Sequence, residues 1–239
     1  MLTMENVTKQ YTRRRHEIIG LRNANLRIDN GEFVAIVGPS GSGKSTLLLM
    51  LGGMLSPSSG RVCVDGQSIY DLSVNGRAAL RKQKIGFVFQ TFNLVPYLSA
   101  LQNVQVPLYL AGLVDGQQTG IATRLLERVG LGDRLDHKPS ELSVGQQQRV
   151  ALARMLANDP KIILADEPTG NLDPETGSNI LEFFAELNAE GRTVVMVTHD
   201  ARAAAVRATR TMRIVDGSIQ PHNAQELLSP LPQLQPAMQ

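Results

Sequence analysis

The sequence predicts an α/β protein in which helices cover a parallel sheet and one strand opens into a phosphate-binding loop. Three observations carry this prediction. An apolar run over residues 33–37 enters a Gly- and Ser-rich loop, and a helix-forming run over 44–50 leaves it. Two more short runs, Ile162–Ala165 and Val194–Val197, are apolar throughout, which is typical of strands buried on both faces of a parallel sheet.

The loop fits the Walker A pattern in full. It consists of Gly38, Pro39, Ser40, Gly41, Ser42, Gly43, Lys44, Ser45 and Thr46. Glycines let successive backbone N–H groups point inward at a phosphate, and the following helix adds the positive end of its dipole. We expect Lys44 to reach the β- and γ-phosphates and the Ser45 hydroxyl to bind Mg²⁺. The pattern predicts a P-loop NTPase but leaves the reaction open.

Composition narrows the class further. The chain has 239 residues, 42% of them hydrophobic, which is enough for a sizeable core in one domain. A net charge of +2 gives no reason to expect a nucleic-acid partner. The single Cys63 excludes an internal disulfide and suits a reducing cytosol. No signal peptide is apparent, nor an apolar run of about 18 residues. We therefore expect a soluble cytoplasmic protein that contacts a membrane only through partners.

Alternating residues over positions 1–30 predict an N-terminal antiparallel β subdomain, which includes Tyr11. The charged run 13–16 favours a solvated turn. A further strand is expected at Arg61–Val64, and a buried one at 85–89 with Gln90 at its carboxyl end, where α/β sheets place ligands.

A helical subdomain over about residues 91–157 is expected to be inserted in this core, because apolar residues recur there at helical spacing. Its first segment, residues 92–97, holds several apolar side chains in a loop-like stretch. These form either a small core or an exposed docking patch. A helix over 147–157 follows Leu142–Gln146, whose Ser143 is either a simple N-cap or part of an anion-binding helix end.

The apolar strand 161–165 ends in two acids, Asp166 and Glu167, as in a Walker B motif. Asp166 is expected to hold Mg²⁺, and Glu167 to orient and polarise the attacking water; an exposed acid pair is the alternative.

Pro174 is a suitable first residue for a helix to about residue 190. His199 follows the strand 193–198. A closing hairpin is expected over 211–220, followed by a Pro- and Gln-rich tail with a short helix at 224–228.

Together these ordered motifs resemble the nucleotide-binding subunit of an ABC transporter, with a RecA-like core, over roughly residues 1–220. Residues 221–239 would be a C-terminal tail. The signature stands at Leu142–Gln146 and the D-loop at Asn171–Pro174. The nearer likeness is to the bacterial lipoprotein-releasing, macrolide-export and cell-division ATPases, through stretches 86–94, 100–104 and 165–173.

The resemblance implies a mechanism. Two copies would sandwich two ATP molecules, each between the Walker A loop of one copy and the signature of the other. The added ATP contacts would come from Tyr11, Ser143, Gly145, Gln146 and Asp173. Gln90 would bind Mg²⁺ and couple the site to an integral membrane permease, docked at residues 92–97, and His199 would contact the γ-phosphate. Cargo specificity would lie in the membrane subunits, with export or extraction favoured over import.

Two points stay open. The family's signature usually has two glycines, and here the first is Val144. A β-branched residue disfavours positive φ and adds bulk near the phosphate, so we expect a working site that closes less readily. The alternative function is a regulatory switch of the cell-division type, which signals through a membrane partner without transport. Chromosome and DNA-repair ATPases are disfavoured, because no sustained heptads separate Lys44 from Leu142.

Overall fold

The structure is a computed structural model that describes residues 1–13, 16–200 and 206–222. Its strands are β1 (Leu2–Arg13), β2 (His16–Ile28), β3 (Phe33–Val37), β4 (Ser59–Val64), β5 (Gln67–Ser68), β6 (Ile85–Val88), β7 (Ile162–Asp166), β8 (Thr193–Thr198), β9 (Arg210–Val215) and β10 (Ser218–His222). Its helices are α1 (Lys44–Leu51), α2 (Val74–Lys84), α3 (Ala100–Leu110), α4 (Asp115–Arg128), α5 (Val144–Leu156) and α6 (Pro174–Ala189), with a 3₁₀ turn at Pro139–Glu141.

A six-stranded sheet in the order β10-β9-β3-β8-β7-β6 forms the centre of the molecule. Five of its strands run parallel, and only β10 pairs antiparallel with β9. Val37 stands opposite Thr198, and Asp166 opposite Val197. The carboxyl ends of β3, β7 and β8 therefore meet at one edge, where parallel sheets place their ligands. The α/β fold class is confirmed.

The central sheet is buried on both faces because its strands alternate between two cores. Val34 and Ile36 face a core shared with α1 and the strands β1, β2 and β4. Phe33 and Ala35 face a second core, built with α3 to α6. The first core is closed by an antiparallel sheet in the order β2-β1-β4-β5, as the alternation over the N-terminal residues predicts.

Helices α3, α4 and α5 lie between β6 and β7 in the chain, which is where the sequence predicts a helical insertion. They pack on one another through fully buried residues such as Leu108, Leu126 and Val150. Ser99 opens α3 with a capping box, in which its hydroxyl accepts from Gln102 N–H. In the described part of the chain, no helix has the length and apolarity that crossing a bilayer requires.

Some boundaries differ from those predicted. Helix α5 begins at Val144 and not at 147, because Ser143 caps it three residues earlier. Helix α2 was not predicted; its sequence is mostly polar and buries only Leu80. Strand β10 extends to His222, past the predicted hairpin end at residue 220. The predicted turn at 14–15 and tail helix at 224–228 lie outside the described residues.

Candidate nucleotide-binding site

The loop between β3 and α1 is shaped by two glycines that the packing requires. A Cβ on Gly38 would lie 2.3 Å from the carbonyl oxygen of Ile214, and one on Gly43 would lie 2.2 Å from that of Gly20. The backbone of Gly43 is also left-handed, with φ +107°, and this residue forms the N-cap of α1. Glycine is therefore needed at both ends of the loop to bring the backbone this close to neighbouring strands.

Lys44 lies inside the loop and is only 7% exposed. Its Nζ donates to the carbonyl oxygens of Gly38 (2.9 Å) and Pro39 (3.1 Å). The same Nζ lies 3.5 Å from Oε1 of Glu167. The ammonium group is thus placed between the loop and the end of β7, where a phosphate on the loop would meet a concentrated positive charge.

Ser45 and Asp166 meet across the sheet edge. Ser45 Oγ donates to Asp166 Oδ1 at 3.1 Å. Burial raises the pKa of Asp166, and the hydrogen bond from Ser45 acts in the opposite direction. Mg²⁺ takes oxygen ligands, so the hydroxyl and the carboxylate fit the predicted metal site.

Glu167 is fixed by the end of β8. Its backbone is left-handed, with φ +47°, and its N–H donates to the carbonyl oxygen of Val197 at 3.0 Å. Oε2 accepts from the backbone N–H of His199 at 3.1 Å and lies 2.8 Å from Nδ1 of its ring. The carboxylate is therefore held at both oxygens, by Lys44 on one side and His199 on the other. A left-handed glutamate is a strained conformation of the kind found at functional sites.

Gln90 follows β6 and joins the loop that comes after Glu167. Asn171 Nδ2 donates to the Gln90 carbonyl oxygen at 3.0 Å. Gln90 Nε2 lies 3.4 Å from the position that a Cβ on Gly170 would take. Among the described residues, no hydrogen bond joins its side chain to Ser45 or Asp166. The metal-binding role predicted for Gln90 therefore stays a prediction.

Tyr11 stands beside the first turn of α1. It is 37% exposed, and its hydroxyl lies 3.1 Å from Thr46 Oγ1. A Cβ on Gly20 would lie 2.7 Å from its ring, so that glycine makes room for the aromatic side chain. Lys9 Nζ lies 5.3 Å from the ring centroid. The aromatic ring predicted to stack on a base is thus tied to the last residue of the phosphate-binding loop.

The signature residues form a second cluster at the start of α5. The Ser143 hydroxyl accepts from Gln146 N–H at 3.2 Å, and Gln146 Oε1 accepts from Ser143 N–H at 2.8 Å, which makes a capping box. Val144 is the first helical residue and is 47% exposed. Because its backbone is helical, the expectation that a β-branched residue is disfavoured there by positive φ is wrong; only the added bulk remains.

Helix α6 begins against the signature. Asp173 caps it by accepting from Thr176 N–H at 2.9 Å, and the hydrogen bonds from Thr176 lower the pKa of the Asp173 carboxyl. A Cβ on Gly145 would lie 2.9 Å from Cγ2 of Thr176. The first turn of α6, which follows the D-loop, therefore lies close against the signature of the same chain.

Three residues that the sequence did not single out connect these parts. Gln148 is fully buried and donates through Nε2 to the Pro168 carbonyl oxygen at 2.8 Å, which joins α5 to the loop after Glu167. Thr176 packs on Gly145, and Arg154 binds the backbone after Gln90. One sequence signal could have predicted a role for Gln148 and Arg154: each is a polar residue among the apolar positions of α5.

The fold and the site define a P-loop protein with the parts of an ATPase. The family model for the ABC transporter matches residues 21–170, and the chain belongs to that family: it is an ATP-binding cassette with ATPase activity.

Sequence similarity to other proteins extends over nearly the whole chain. An uncharacterised ABC transporter ATP-binding protein of Thermotoga maritima is 48% identical over 220 residues, covering 92% of this chain and 94% of that protein. The macrolide export ATP-binding/permease protein MacB of Hyphomonas neptunium is 47% identical over 219 residues; this chain spans 34% of its length.

Among solved structures, the dimeric, post-hydrolysis ATP-binding cassette MJ0796 bound to ADP and Pi is 44% identical, with a TM-score of 0.88. The match covers 93% of this chain and 98% of that one.

Proposed function

We propose that two copies of this chain sandwich two ATP molecules and that ATP hydrolysis drives a membrane-embedded partner. One observation carries the proposal: the chain holds the two halves of an ATP site as separate clusters. Lys44 and its neighbours form one, and Ser143, Gly145 and Asp173 form the other. A second copy related by two-fold symmetry supplies the missing half of each site. The dimeric assembly of MJ0796 supports this arrangement.

Within such a site, Lys44 neutralises the β- and γ-phosphates while the loop N–H groups bind their oxygens. Glu167, already oriented by His199, accepts a hydrogen bond from the attacking water and polarises it. His199, whose side chain is 62% exposed, contacts the γ-phosphate. Ser45 and Asp166, with Gln90, would hold Mg²⁺, which supplies Lewis-acid charge on the phosphate oxygens. Tyr11 stacks on the adenine.

The partner is an integral membrane permease, and the chain lies on the cytoplasmic face of the membrane. The function we propose is export or extraction of lipoprotein, peptide or drug-like cargo. The relatives named macrolide export proteins support the export direction. Segment 92–97 is a mixed surface: Leu94 packs on the main core, whereas Tyr97 is 74% exposed. Its exposed part suits contact with the permease.

A regulatory switch of the cell-division type is the second candidate function. The transporter and the switch differ only in the membrane partner.

The first experiment measures ATP-dependent dimerisation of the Glu167→Gln variant by light scattering with ATP and Mg²⁺. This variant keeps the shape of the side chain but removes the charge that activates water. We expect a stable dimer with ATP and a monomer without it. Lys44→Ala in the same background is the control and stays monomeric. A Glu167→Gln chain that remains monomeric at millimolar ATP contradicts the sandwich.

The membrane partner is tested by tagging the Glu167→Gln chain, adding ATP and Mg²⁺, and solubilising the membranes. Co-purification of a polytopic permease with a large extracytoplasmic domain supports export or extraction. A partner that itself binds cell-wall enzymes supports the regulatory switch. Recovery of soluble proteins alone contradicts both membrane functions and leaves the ATPase intact.

A further inference from the structure

Strand β1 contains one residue more than the strands on either side of it. From Met4 to Val7 it advances three residues, whereas β2 advances only two along the same stretch. The pairing with β4 shows the same excess between Glu5 and Thr8. Within this stretch Asn6 has a left-handed backbone, with φ +50°. Asn6 is therefore the residue of a β-bulge, which leaves one residue of β1 without a place in the ladder.

This bulge exchanges the two faces of β1. Side chains along a strand alternate between opposite faces, and one extra residue moves every later side chain to the other face. Met4 is buried before the bulge, and Val7 is buried after it. In a regular strand Met4 would share its face with even-numbered residues only, and Tyr11 would point away from the core. The bulge places Tyr11 on the same side as the core.

The contacts of β1 beyond the bulge agree with this placement. Lys9 Nζ donates to the carbonyl oxygen of Ser56, just past α1, at 2.7 Å. The Tyr11 hydroxyl lies 3.1 Å from Oγ1 of Thr46, in α1 itself. Both side chains thus extend to the side on which β1 and α1 share a core. Tyr11 reaches the end of the phosphate-binding loop because odd-numbered residues face it.

Strand β2 carries a matching bulge a little further along the pair. From Ala24 to Leu21 it covers three residues while β1 covers two. Asn23 lies in this stretch and is left-handed, with φ +43°. Since the two excesses cancel, both strands exchange faces together and remain paired. A third shift lies beyond Leu21 on β2 and leaves the alternation of β1 unchanged.

Asn25 connects the two bulges. Its Oδ1 accepts from the Asn6 backbone N–H at 2.9 Å, and its Nδ2 donates to Asn6 Oδ1 (3.2 Å) and to the Asn23 carbonyl oxygen (3.0 Å). Thr8 Oγ1 accepts from the Asn23 N–H at 3.1 Å. A Cβ on Gly60 of β4 would lie 2.5 Å from the Asn6 carbonyl oxygen, so glycine makes room for the bulge. Asparagine tolerates a left-handed backbone better than other side chains do, so residue type specifies both bulges.

We propose that Asn6 and Asn23 are positioning residues for nucleotide recognition: their paired bulges turn Tyr11 toward the phosphate-binding loop and hold its ring where the adenine stacks. The inference rests on the proposed function and adds the residues that orient the base-binding ring. Neither asparagine touches the nucleotide, and both act through the alternation of the strand. Bulges beside functional sites re-aim side chains in this way.

The test separates binding of the base from binding of the phosphates. Dissociation constants of the full chain for ADP and for inorganic pyrophosphate, both with Mg²⁺, are measured by calorimetry. These ligands avoid hydrolysis, and their affinity ratio defines the base preference. Tyr11→Ala is the reference and should lower the base preference about tenfold, the scale of one base–aromatic stack. Asn6→Val should lower it to a similar extent, because a β-branched residue disfavours the left-handed backbone. Pyrophosphate affinity should stay unchanged in both variants.

Three further variants control for effects on the fold. Asn6→Gly accepts the left-handed backbone and should keep the base preference within about twofold of the parent. Gln10→Val puts the same β-branched residue next to Tyr11, outside the bulge, and should leave the preference unchanged. Asn6→Val in a Tyr11→Ala background should cause no further loss, since Asn6 acts only through the ring. A general weakening of the fold would instead add to the loss.

Three results overturn the inference. They are a folded Asn6→Val chain with the base preference of the parent, a further loss of preference when Asn6→Val is added to Tyr11→Ala, and equal losses of ADP and pyrophosphate affinity. If Asn6→Val does not fold, Asn25→Ala takes its place. It removes the bonds between the bulges and should lower the preference about threefold. An unchanged preference in that chain overturns the inference equally.

Failure of the proposed function is recognised separately. An unchanged base preference in Tyr11→Ala would remove the ring from base binding and overturn the inference. ATP-dependent dimerisation of Glu167→Gln does not depend on that result and still tests the ATP sandwich. Loss of dimerisation with the base preference intact would contradict the sandwich and leave the role of the bulges standing.

Discussion

The methyl group of Thr176 fills the space that a side chain at Gly145 would need. A Cβ at position 145 would lie 2.9 Å from Thr176 Cγ2, closer than non-bonded carbon atoms approach. The glycine of the signature is therefore required by the first turn of α6 in the same chain, before any nucleotide is considered. The signature and the first turn of α6 are fitted to each other by one methyl group.

This contact predicts the behaviour of a double-mutant cycle. Gly145→Ala alone should destabilise the chain by about 1–3 kcal/mol through overpacking. In a Thr176→Ser background, which lacks the methyl group, the same change should be neutral or stabilising by up to about 1 kcal/mol, since Ala favours a helix over Gly. Urea unfolding of the four chains measures both values. Equal destabilisation in the two backgrounds would show that the methyl group is not the obstacle.

Val144 provides a second prediction, on dimer closure. Its side chain is 47% exposed at the first position of α5, and its backbone is helical. The size of the Val144 side chain is then the only feature that opposes dimer closure. Val144→Ala and Val144→Gly should therefore both strengthen ATP-induced dimerisation of the Glu167→Gln form, by about the same factor of a few. Turnover in the parent background should rise in parallel. If Gly alone has an effect, backbone freedom matters after all; if neither changes closure or turnover, the bulk is harmless.

Two substitutions of Tyr11 should separate the contribution of base stacking to ATP affinity from that of hydrogen bonding. Tyr11→Phe loses the contact with Thr46 Oγ1 but keeps the ring, so ATP affinity should change less than twofold. Tyr11→Ala removes the ring and should weaken ATP binding about tenfold, the usual scale for one base–aromatic stack. Affinity for a fluorescent ATP analogue, measured by titration, tests both. Similar losses in the two variants would assign the effect to the hydroxyl group.

Tyr70 predicts a loss of stability at alkaline pH. Its hydroxyl donates to the carbonyl oxygen of Leu55 at 2.5 Å and lies 2.8 Å from that of Met50, and burial raises its pKa to about 12. The neutral phenol is favoured in the folded chain, whereas the unfolded chain ionises near pH 10. The stabilisation is complete below pH 10 and is lost as the pH rises toward 12.

Because Tyr70 is partly exposed, the loss should amount to about 1–2 kcal/mol. The measurement is the urea midpoint between pH 9 and 12. Tyr70→Phe is the control: less stable than the parent at pH 8, it should show a shallower decline. An identical slope in the two chains would exclude Tyr70 as the titrating group.

The sequence alone predicted the fold class, which is confirmed, and the residues of the candidate site. Apolar strands, the glycine loop and the paired acids Asp166 and Glu167 are local patterns, and each depends on residues close together in the chain. Such patterns determine which elements form and at which edge of a parallel sheet they end. Helix α2 was not predicted, because its sequence is mostly polar and has little apolar periodicity.

Contacts between distant segments were decided only by the tertiary structure. The conformation of Glu167 depends on the end of β8, and the backbone of Val144 is helical because Ser143 caps α5. The hydrogen bond from Arg154 of α5 to the Phe92 carbonyl oxygen likewise joins segments that are distant in the chain. Packing between elements has no local sequence signature, because the same side chain can be solvated or enclosed according to what the fold places next to it.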